Sequence, residues 1–302
     1  MASWTVNEPI RVSVCCITYK QEQYIAQAIE SFLVQKTTFP FEIVIGEDCG
    51  GDGTLPIIYE YQKRYPTLIR VITSEQNVGA NANLLRVFNA AQGDYIAVCE
   101  GDDYWIDENK LEGHVDFLDK NKSVALHMYD CLEEVNGLVQ ETSSKLKRMG
   151  TKQGLYYPDQ IRNGFCMMLI SSCFKNIKSY QYPSYFHKSI NFDTLLSLDL
   201  ANYGSAYVDD SRKVAVYRLQ EGGIWSNKTE TYKFYESMHT LLVHARYLET
   251  EINSDVYIKK ILILVIFAIK KIGMSNFIFN FFRLTINKFL RMLKKLYVPR
   301  TS

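Results

Sequence analysis

The stretch DYIAVCEGDDYW, residues 94–105, decides the fold class of this chain. Five apolar residues, Tyr95 to Cys99, end abruptly at Glu100, Asp102 and Asp103, which place three carboxylates within four positions. Apolar runs of this length without polar alternation are typical of strands buried on both faces, as in parallel sheets. The charge that follows therefore stands at the carboxyl end of a buried strand, where open α/β sheets bind their ligands.

The same pattern occurs three times upstream, in short β-branched runs that end in polar residues. These runs are RVSVCCITY (11–19), FEIVIGED (41–48) and IRVITS (69–74). Helical patterns separate the runs: apolar residues at 25, 28, 29, 32 and 33 follow helical spacing, and 54–65 and 79–92 are also predicted helices. Strands that alternate with helices predict an α/β, Rossmann-like fold with a mostly parallel central sheet flanked by helices.

The second half of the chain has a less regular pattern. It predicts a strand or hairpin at 123–140 around Asn136-Gly137, a strand at 167–174, a helix at 192–203, a strand at 215–219 and a long helix at 231–251. We therefore expect three parts: a first half of the fold at 1–120, a second half at 121–228, and a helical region at 229–302.

The charge of the chain is unevenly distributed. Residues 256–302 hold ten of the 34 Lys and Arg residues and none of the 33 Asp and Glu residues, so the rest of the chain carries a net charge of −9. The seven cysteines include no CxxC pair and several lie in strand patterns, which indicates free thiols in a reducing compartment. The first residues show no signal peptide pattern. We therefore expect a cytoplasmic protein.

The acidic cluster at 100–103 requires a reason to exist, because its charges repel one another. At a separation of roughly 6 Å and an effective dielectric of about 20, each pair costs about 3 kcal/mol. A hard cation such as Mg²⁺ or Mn²⁺ offsets this repulsion, and it keeps coordination positions open for substrate phosphates. The alternative is a solvated turn, since Gly-Asp-Asp is also turn chemistry. The neighbouring Tyr104-Trp105 pair and the acidic strand end at Glu47-Asp48 favour the metal site.

The chain resembles inverting GT-A glycosyltransferases of glycosyltransferase family 2. VSVCCITYKQEQYIAQAIESFLVQ is similar to that family's first strand and helix, EIVIGEDCGGDGT to its acidic nucleotide-binding turn, and EGDDYW to its DxD metal motif. The resemblance is dense over 11–120 and continues more thinly to about 226. It implies a GT-A fold, a nucleotide-sugar donor, and Mn²⁺ or Mg²⁺ as the cofactor.

The resemblance also assigns site residues. It implies that Asp102 and Asp103 hold the metal, and that Asp48, helped by Glu47, accepts a hydrogen bond from the N3–H of a uracil or thymine base. Glu47 and Glu100 stand where the family usually has Asp, and Gln220 stands where His is common. The full set of implied nucleotide-sugar contacts is Thr18, Tyr19, Glu47, Asp48, Arg86, Glu100, Gly101, Asp102, Asp103, Trp105, Arg218 and Gln220.

Inverting transfer needs a carboxylate that takes the proton of the acceptor hydroxyl. The segment NFDTLL (191–196) resembles the family segment that carries this base, which assigns the role to Asp193. The alternative is a first-turn helix acid, a position that Asp favours. Two of the basic contacts also have alternatives: Arg218 as a structural ion pair, and Arg86 as part of a solvated helix face.

The basic C-terminal region fits a membrane surface better than a membrane span. The apolar run at 261–269 is nine residues, roughly 14 Å of helix against a bilayer core of about 30 Å. Residues 277–297 follow an amphipathic helical pattern with Lys and Arg on one face and Phe and Leu on the other. Such helices lie in the membrane interface. The alternative is a helix that packs on the domain or on a partner.

The resemblance to glycosyltransferase family 2, together with the acidic cluster and the basic tail, implies a metal-dependent hexosyltransferase at the inner face of the cytoplasmic membrane. By analogy with that family, we expect it to move glucose or galactose from a UDP-sugar to GlcNAc or GalNAc on an undecaprenyl diphosphate carrier, with a β-linkage, in O-antigen or capsule assembly. The alternatives are another donor such as dTDP-rhamnose, or a catalytically silent nucleotide-sugar-binding protein. A nucleotidyltransferase is disfavoured, because residues 18–22 lack the Gly-rich phosphate loop that such enzymes need.

Overall fold

A computed structural model gives the structure of the chain. It describes residues 8–163, 165–177 and 191–219, together with the single residues 186, 228, 229, 232, 233, 236, 237, 239, 240 and 266. The chain divides into two compact units, Met1–Ser226 and Asn227–Ser302. The predictions of a long helix at 231–251 and of an amphipathic helix at 277–297 lie outside the described residues, apart from a few isolated positions.

The first half of the large unit is a parallel sheet of four strands. These strands are β1 (Val12–Thr18), β2 (Phe41–Glu47), β3 (Ile69–Thr73) and β4 (Tyr95–Val98), in the spatial order β3-β2-β1-β4. All residues of β1, β2 and β4 are buried, as their continuous apolar runs predict. Parallel pairing brings Thr18, Glu47 and the residues after β4 to the same edge of the sheet.

Helices cover the parallel strands and begin close to the predicted positions. They are α1 (Ile25–Leu33), α2 (Thr54–Arg64) and α3 (Ala80–Ala90). A further helix, α4 (Lys110–Lys120), follows the acidic turn and has no counterpart among the predicted helices. Helix α3 lies unusually close to β2, because the amide of Asn83 donates to the carbonyl of Gly46 at 2.7 Å. A Cβ atom at Gly46 would come within 2.6 Å of Val87 Cγ2, so only glycine allows this approach.

The second half extends the same sheet with mixed pairing. It contributes β5 (Tyr104–Trp105), β6 (Val124–Val135), β7 (Leu138–Val139), β8 (Gly154–Tyr156), β9 (Ser172–Lys175) and β10 (Ser205–Leu219), and the helices α5 (Lys145–Met149), α6 (Pro158–Arg162) and α7 (Phe192–Leu200). The full order is β3-β2-β1-β4-β9-β6-β10-β5, with β7 paired to β6 and β8 to β10. Strand β9 is antiparallel to both β4 and β6 and joins the two halves.

In this half, the structure confirms one prediction and corrects two others. The predicted hairpin is confirmed: Asn136 (φ 52°) and Gly137 (φ 77°) form the turn between β6 and β7. The strand predicted at 167–174 begins only at Ser172, after a short 3₁₀ turn at Leu169–Ser171. The strand predicted at 215–219 starts ten residues earlier, at Ser205. Within the described part of the chain, no helix is long and apolar enough to span a membrane.

Candidate active site

The carboxylates of Glu100, Asp102 and Asp103 converge at the carboxyl end of β4. Ligand oxygens of Glu100, Asp102 and Asp103 all lie within 4.8 Å of one another. The backbone N–H of Gly101 donates to Ile17 O at 2.9 Å, which fixes the acidic turn on β1. A Cβ atom at Gly101 would lie 2.9 Å from Thr18 Oγ1, so glycine lets the acidic turn sit directly on the end of β1.

Arg218 fastens the acidic turn to β10. Its backbone N–H donates to Asp103 Oδ1 at 2.8 Å, and its Nη1 donates to the carbonyl of Asp102 at 2.6 Å. The same guanidinium donates to Glu134 Oε1 at 3.1 Å and to the side chain of Gln27. Of the two roles that the sequence leaves open for Arg218, the structure therefore shows the ion pair.

We expect replacement of Arg218 to destabilise the protein. The Arg218–Glu134 pair has side-chain exposures of only 7% and 15%. Breaking a buried pair leaves an uncompensated charge, so Arg218→Met should lower the free energy of unfolding by about 3 kcal/mol. Urea denaturation measures this change.

The matched control for this variant is Arg148→Met. Arg148 pairs with Glu133, but its side chain is 55% exposed. An exposed pair contributes about 1 kcal/mol or less. Equal losses for the two variants would contradict the anchoring role of Arg218.

The three acids are electrostatically suited to a cation. Burial, and after it the negative charge of Asp102, raises the pKa of Glu100 to about 7. Burial and the charges of Asp102 and Glu100 raise the pKa of Asp103 well above its usual range. Burial also raises the pKa of Asp102. This set of hard oxygen donors fits Mg²⁺ or Mn²⁺, and Glu100 belongs to it together with Asp102 and Asp103.

The raised pKa of Glu100 predicts how metal affinity depends on pH. A divalent cation competes with the proton on Glu100, so Mn²⁺ affinity should rise about tenfold or more from pH 6 to pH 8. In the metal-free protein, stability changes with pH in the opposite direction. A carboxyl whose pKa is raised on folding contributes stability below its unfolded pKa, and this is lost as pH rises through about 7. Calorimetric titration with Mn²⁺ at both pH values measures the effect.

A Glu100→Gln variant supplies the control for the pH dependence. The amide cannot take up the proton, so the increase in Mn²⁺ affinity between pH 6 and pH 8 should shrink. An affinity of the unaltered protein that is the same at both pH values would show that Glu100 does not compete for the cation.

Asp193 lies in the first turn of α7, as the alternative interpretation also required. Its Oδ1 accepts the backbone N–H of Thr194 at 2.7 Å, which leaves Oδ2 for another partner. Burial raises the pKa of Asp193, and its charge in turn raises the pKa of Glu100. The Asp193 carboxylate is therefore near enough to Glu100 for the two charges to interact.

The acids at the end of β2 shape the crevice through the backbone. Glu47 accepts the N–H groups of Cys49 (3.1 Å) and Gly50 (2.7 Å). Asp48 accepts the N–H groups of Val78 and Gly79, both at 2.8 Å, and the hydroxyl of Ser74 at 3.1 Å. A carboxylate has about four acceptor sites, so Asp48 keeps one, on Oδ2. The expected bond from a base N3–H has this one site available.

The structure separates the other predicted contacts. Thr18 is buried, with an Oγ1 that has no hydrogen-bond partner among the described residues, whereas Tyr19 is 42% exposed at the same strand end. Arg86 donates to the carbonyl of Thr73 at the end of β3, so it lies near the crevice edge rather than free on a helix face. Gln220 lies outside the described residues.

The prediction for Trp105 needs correction. Its side chain is only 3% exposed, and its indole N–H donates to the carbonyl of Ile170 at 3.1 Å. The ring packs against Phe32, and the ammonium of Lys110 lies 4.0 Å from the ring centre. Trp105 is therefore a core residue that supports the acidic turn from behind, and it does not reach a donor in the crevice.

Lys145 lies against Tyr217 beside the acidic turn, although the sequence did not single out Lys145. The Lys145 ammonium lies 3.1 Å from the centre of the Tyr217 ring. The positive charge of Lys145 lowers the pKa values of Glu100, Asp103 and Asp193. Lys145 belongs to no recognisable motif, because its short basic helix, KLKRM, has the composition of a solvated surface.

Sequence relatives are known for most of the chain. An uncharacterized protein of Mycobacterium tuberculosis is 35% identical over 234 residues, which are 75% of this chain but 64% of that relative. The chain thus spans less than two thirds of this relative's length. The putative teichuronic acid biosynthesis glycosyltransferase TuaG of Bacillus subtilis is 27% identical over 237 residues, 77% of this chain and 87% of TuaG.

Solved structures share the fold at low sequence identity. Staphylococcus aureus TarS in complex with UDP-GlcNAc superposes with a TM-score of 0.64 at 20% identity, over 87% of this chain and 73% of that one. The mannosyltransferase PcManGT of Pyrobaculum calidifontis, in complex with GDP-Man and Mn²⁺, gives 0.58 at 15% identity, over 86% and 69%. This likeness shows the GT-A fold.

A family description matches the part of the chain that builds the parallel sheet and the acidic turn. The match covers residues 13–178, more than half of the chain, and its description is glycosyl transferase family 2. It includes β1 to β4 and extends through β9, so it contains every strand end that forms the acidic crevice. The chain therefore belongs to glycosyl transferase family 2.

Proposed function

We propose that this chain is an inverting, metal-dependent glycosyltransferase. It moves a hexose, glucose or galactose, from a UDP-sugar to a lipid-diphosphate-linked acceptor sugar and forms a β-linkage. The observation that carries the proposal is the convergence of Glu100, Asp102 and Asp103 within 4.8 Å at a strand end. Asp193 lies near enough for its charge to raise the pKa of Glu100. A cation site beside a buried carboxylate base is the arrangement that displacement at an anomeric carbon needs.

The residues divide the chemistry between them. Asp193 takes the proton of the acceptor hydroxyl while that oxygen forms a bond to the anomeric carbon. The bond from the anomeric carbon to the diphosphate oxygen breaks, and its electron pair leaves with the diphosphate. Asp102, Asp103 and Glu100 would hold a divalent cation, which would neutralise charge on the diphosphate. Attack from the side opposite the leaving group inverts the anomeric centre.

The proposed donor is inferred from the expected nucleobase contact at Asp48 and from the donors that the related proteins bind. TarS binds UDP-GlcNAc, whereas PcManGT binds GDP-Man. Asp48 keeps one acceptor site, which suits the N3–H donor of a uracil or thymine base. This favours a UDP-sugar and leaves dTDP-rhamnose as the alternative donor. The presence of both Asp102 and Asp193 argues against a catalytically silent binding protein, because binding alone needs no base.

The acceptor and the cellular site extend the proposal. TuaG is named for teichuronic acid biosynthesis and TarS for poly(ribitol-phosphate) glycosylation, so both names concern cell-surface polymers. We infer an acceptor of GlcNAc or GalNAc on undecaprenyl diphosphate, in O-antigen or capsule assembly. The basic segment 256–302 would attach the protein peripherally to the inner face of the cytoplasmic membrane.

A transfer assay with the full chain tests this function. The reaction contains UDP-Glc, UDP-Gal, UDP-GlcNAc, dTDP-rhamnose or GDP-mannose, a synthetic lipid-diphosphate GlcNAc or GalNAc acceptor, and Mn²⁺ with or without chelator. We expect mass spectrometry to detect a product with one added hexose from a UDP-hexose, and NMR to show a β anomer. No transfer and no release of nucleoside diphosphate with any donor would contradict the proposal.

Flotation of the full chain with anionic vesicles tests the proposed membrane attachment. A protein that stays in the soluble fraction would refute this attachment.

A further inference from the structure

Helix α5 is a rigid platform that presents Lys145 to the crevice. The backbone N–H of Leu146 donates to Asp130 Oδ1 at 3.1 Å, and Arg148 pairs with Glu133 on the same strand, β6. The Ser144 hydroxyl accepts the N–H of Lys147 at 3.1 Å and caps the helix. None of these contacts uses the side chain of Lys145, so the position of this residue does not depend on its ammonium group.

The ammonium of Lys145 is held on an aromatic ring without a carboxylate partner. It lies 3.1 Å from the centre of the Tyr217 ring, and the described residues provide no acid within salt-bridge distance of it. Tyr217 immediately precedes Arg218, whose N–H donates to Asp103. The platform therefore places a cation beside the acidic cluster and leaves its hydrogen-bond donors available.

The Tyr217 ring that holds Lys145 is adjacent on β10 to Arg218, whose N–H donates to Asp103, so Lys145 lies beside the acidic turn. Its positive charge partly offsets the rise that burial causes in the pKa values of Glu100, Asp103 and Asp193. In the proposed function, the bond that breaks in sugar transfer lies between the cation site and Asp193. By contrast, the guanidinium of Arg218 already donates to Glu134 and to the carbonyl of Asp102.

We propose that Lys145, held on the Tyr217 ring, binds the diphosphate of the nucleotide-sugar donor and stabilises it as the leaving group. An ammonium is a compact point charge that donates to phosphate oxygens. A divalent cation balances the negative charge of an intact nucleotide-sugar diphosphate, and further negative charge develops on the leaving oxygen as the anomeric bond breaks. A fixed protein cation beside the diphosphate would stabilise this developing charge. This inference rests on the proposed function.

Calorimetric titration of the full chain with UDP in the presence of Mn²⁺ tests the role of Lys145. We expect Lys145→Met to weaken UDP binding about tenfold or more, because a charge-assisted hydrogen bond is lost. Uridine binding should not change, since uridine has no phosphate. Lys145→Arg should restore part of the affinity. The matched control is Lys147→Met, which removes an exposed charge from the same helix and should leave UDP affinity as it is.

The outcomes distinguish this inference from the proposed function. Unchanged or tighter UDP binding by Lys145→Met would overturn the inference, because Lys145 would then serve only as a counterion of the acids. In that case Mn²⁺ alone should also bind more tightly to the variant. If the unaltered protein binds none of UDP, dTDP and GDP, both proposals fail. Equal melting temperatures of Lys145→Met and Lys147→Met exclude a folding defect as the cause of lost binding.

Discussion

Replacing Asp193 with Asn is expected to slow sugar transfer by about 10²- to 10⁴-fold, the usual contribution of a general base. The amide keeps the shape of the side chain and can still accept the N–H of Thr194, which lies 2.7 Å from Oδ1. It cannot take the proton of the acceptor hydroxyl. Donor affinity should stay within about twofold, since Asp193 acts on the acceptor side. Initial rates at saturating donor and UDP titration measure the two effects separately.

The control for this variant is Asp210→Asn. Asp210 lies on β10 and is exposed. Its replacement should leave the rate unchanged. Near-normal turnover of Asp193→Asn would mean that Asp193 is only a first-turn acid of α7, the structural role that the sequence could not exclude.

Replacing Asp102 with Asn is expected to remove metal-dependent donor binding and to lower turnover by about 10³-fold. A bound cation contributes several kcal/mol to the stabilisation of developing charge, which corresponds to this factor. Asp102 is a cleaner choice than Asp103, because Asp103 Oδ1 also accepts the N–H of Arg218 and its loss would disturb the turn. Titration with UDP, with and without Mn²⁺, is the measurement.

Two comparisons make the Asp102 prediction specific. The affinity of Asp102→Asn for UDP in Mn²⁺ should equal that of the unaltered protein in chelator. Asp116→Asn, which removes an exposed carboxylate from α4, should behave like the unaltered protein. If Asp102→Asn still responds to Mn²⁺ with a normal gain in UDP affinity, the cation binds elsewhere.

The sequence predicts the first half of the fold closely, for a physical reason. Strands β1, β2 and β4 are buried on both faces, so their apolar runs are continuous and their ends are abrupt. The sequence pattern predicts only residues 215–219 of β10, because the middle of the strand, Asp209–Lys213, is charged and coincides with a shift in register against β6. A bulged, partly exposed strand segment has no regular period that a sequence pattern could detect.

The site shows the same division between pattern and packing. The acidic turn could be predicted because charge at the end of an apolar run is visible in the chain itself. The burial of Trp105 and the ion pair of Arg218 depend on contacts with Ile170 and Glu134, which lie far away in sequence. Lys145 reaches the crevice because Asp130 and Glu133 hold α5 on β6. No local pattern reports such a long-range contact.

The most direct test of the metal–diphosphate site is a crystal structure with Mn²⁺ and UDP, using anomalous diffraction at the manganese edge. The predicted result is one strong anomalous peak bound by Asp102 and Asp103, with Glu100 beside it and diphosphate oxygens completing the coordination. An anomalous peak away from residues 100–103, or ordered UDP whose diphosphate does not approach these acids, would contradict the account.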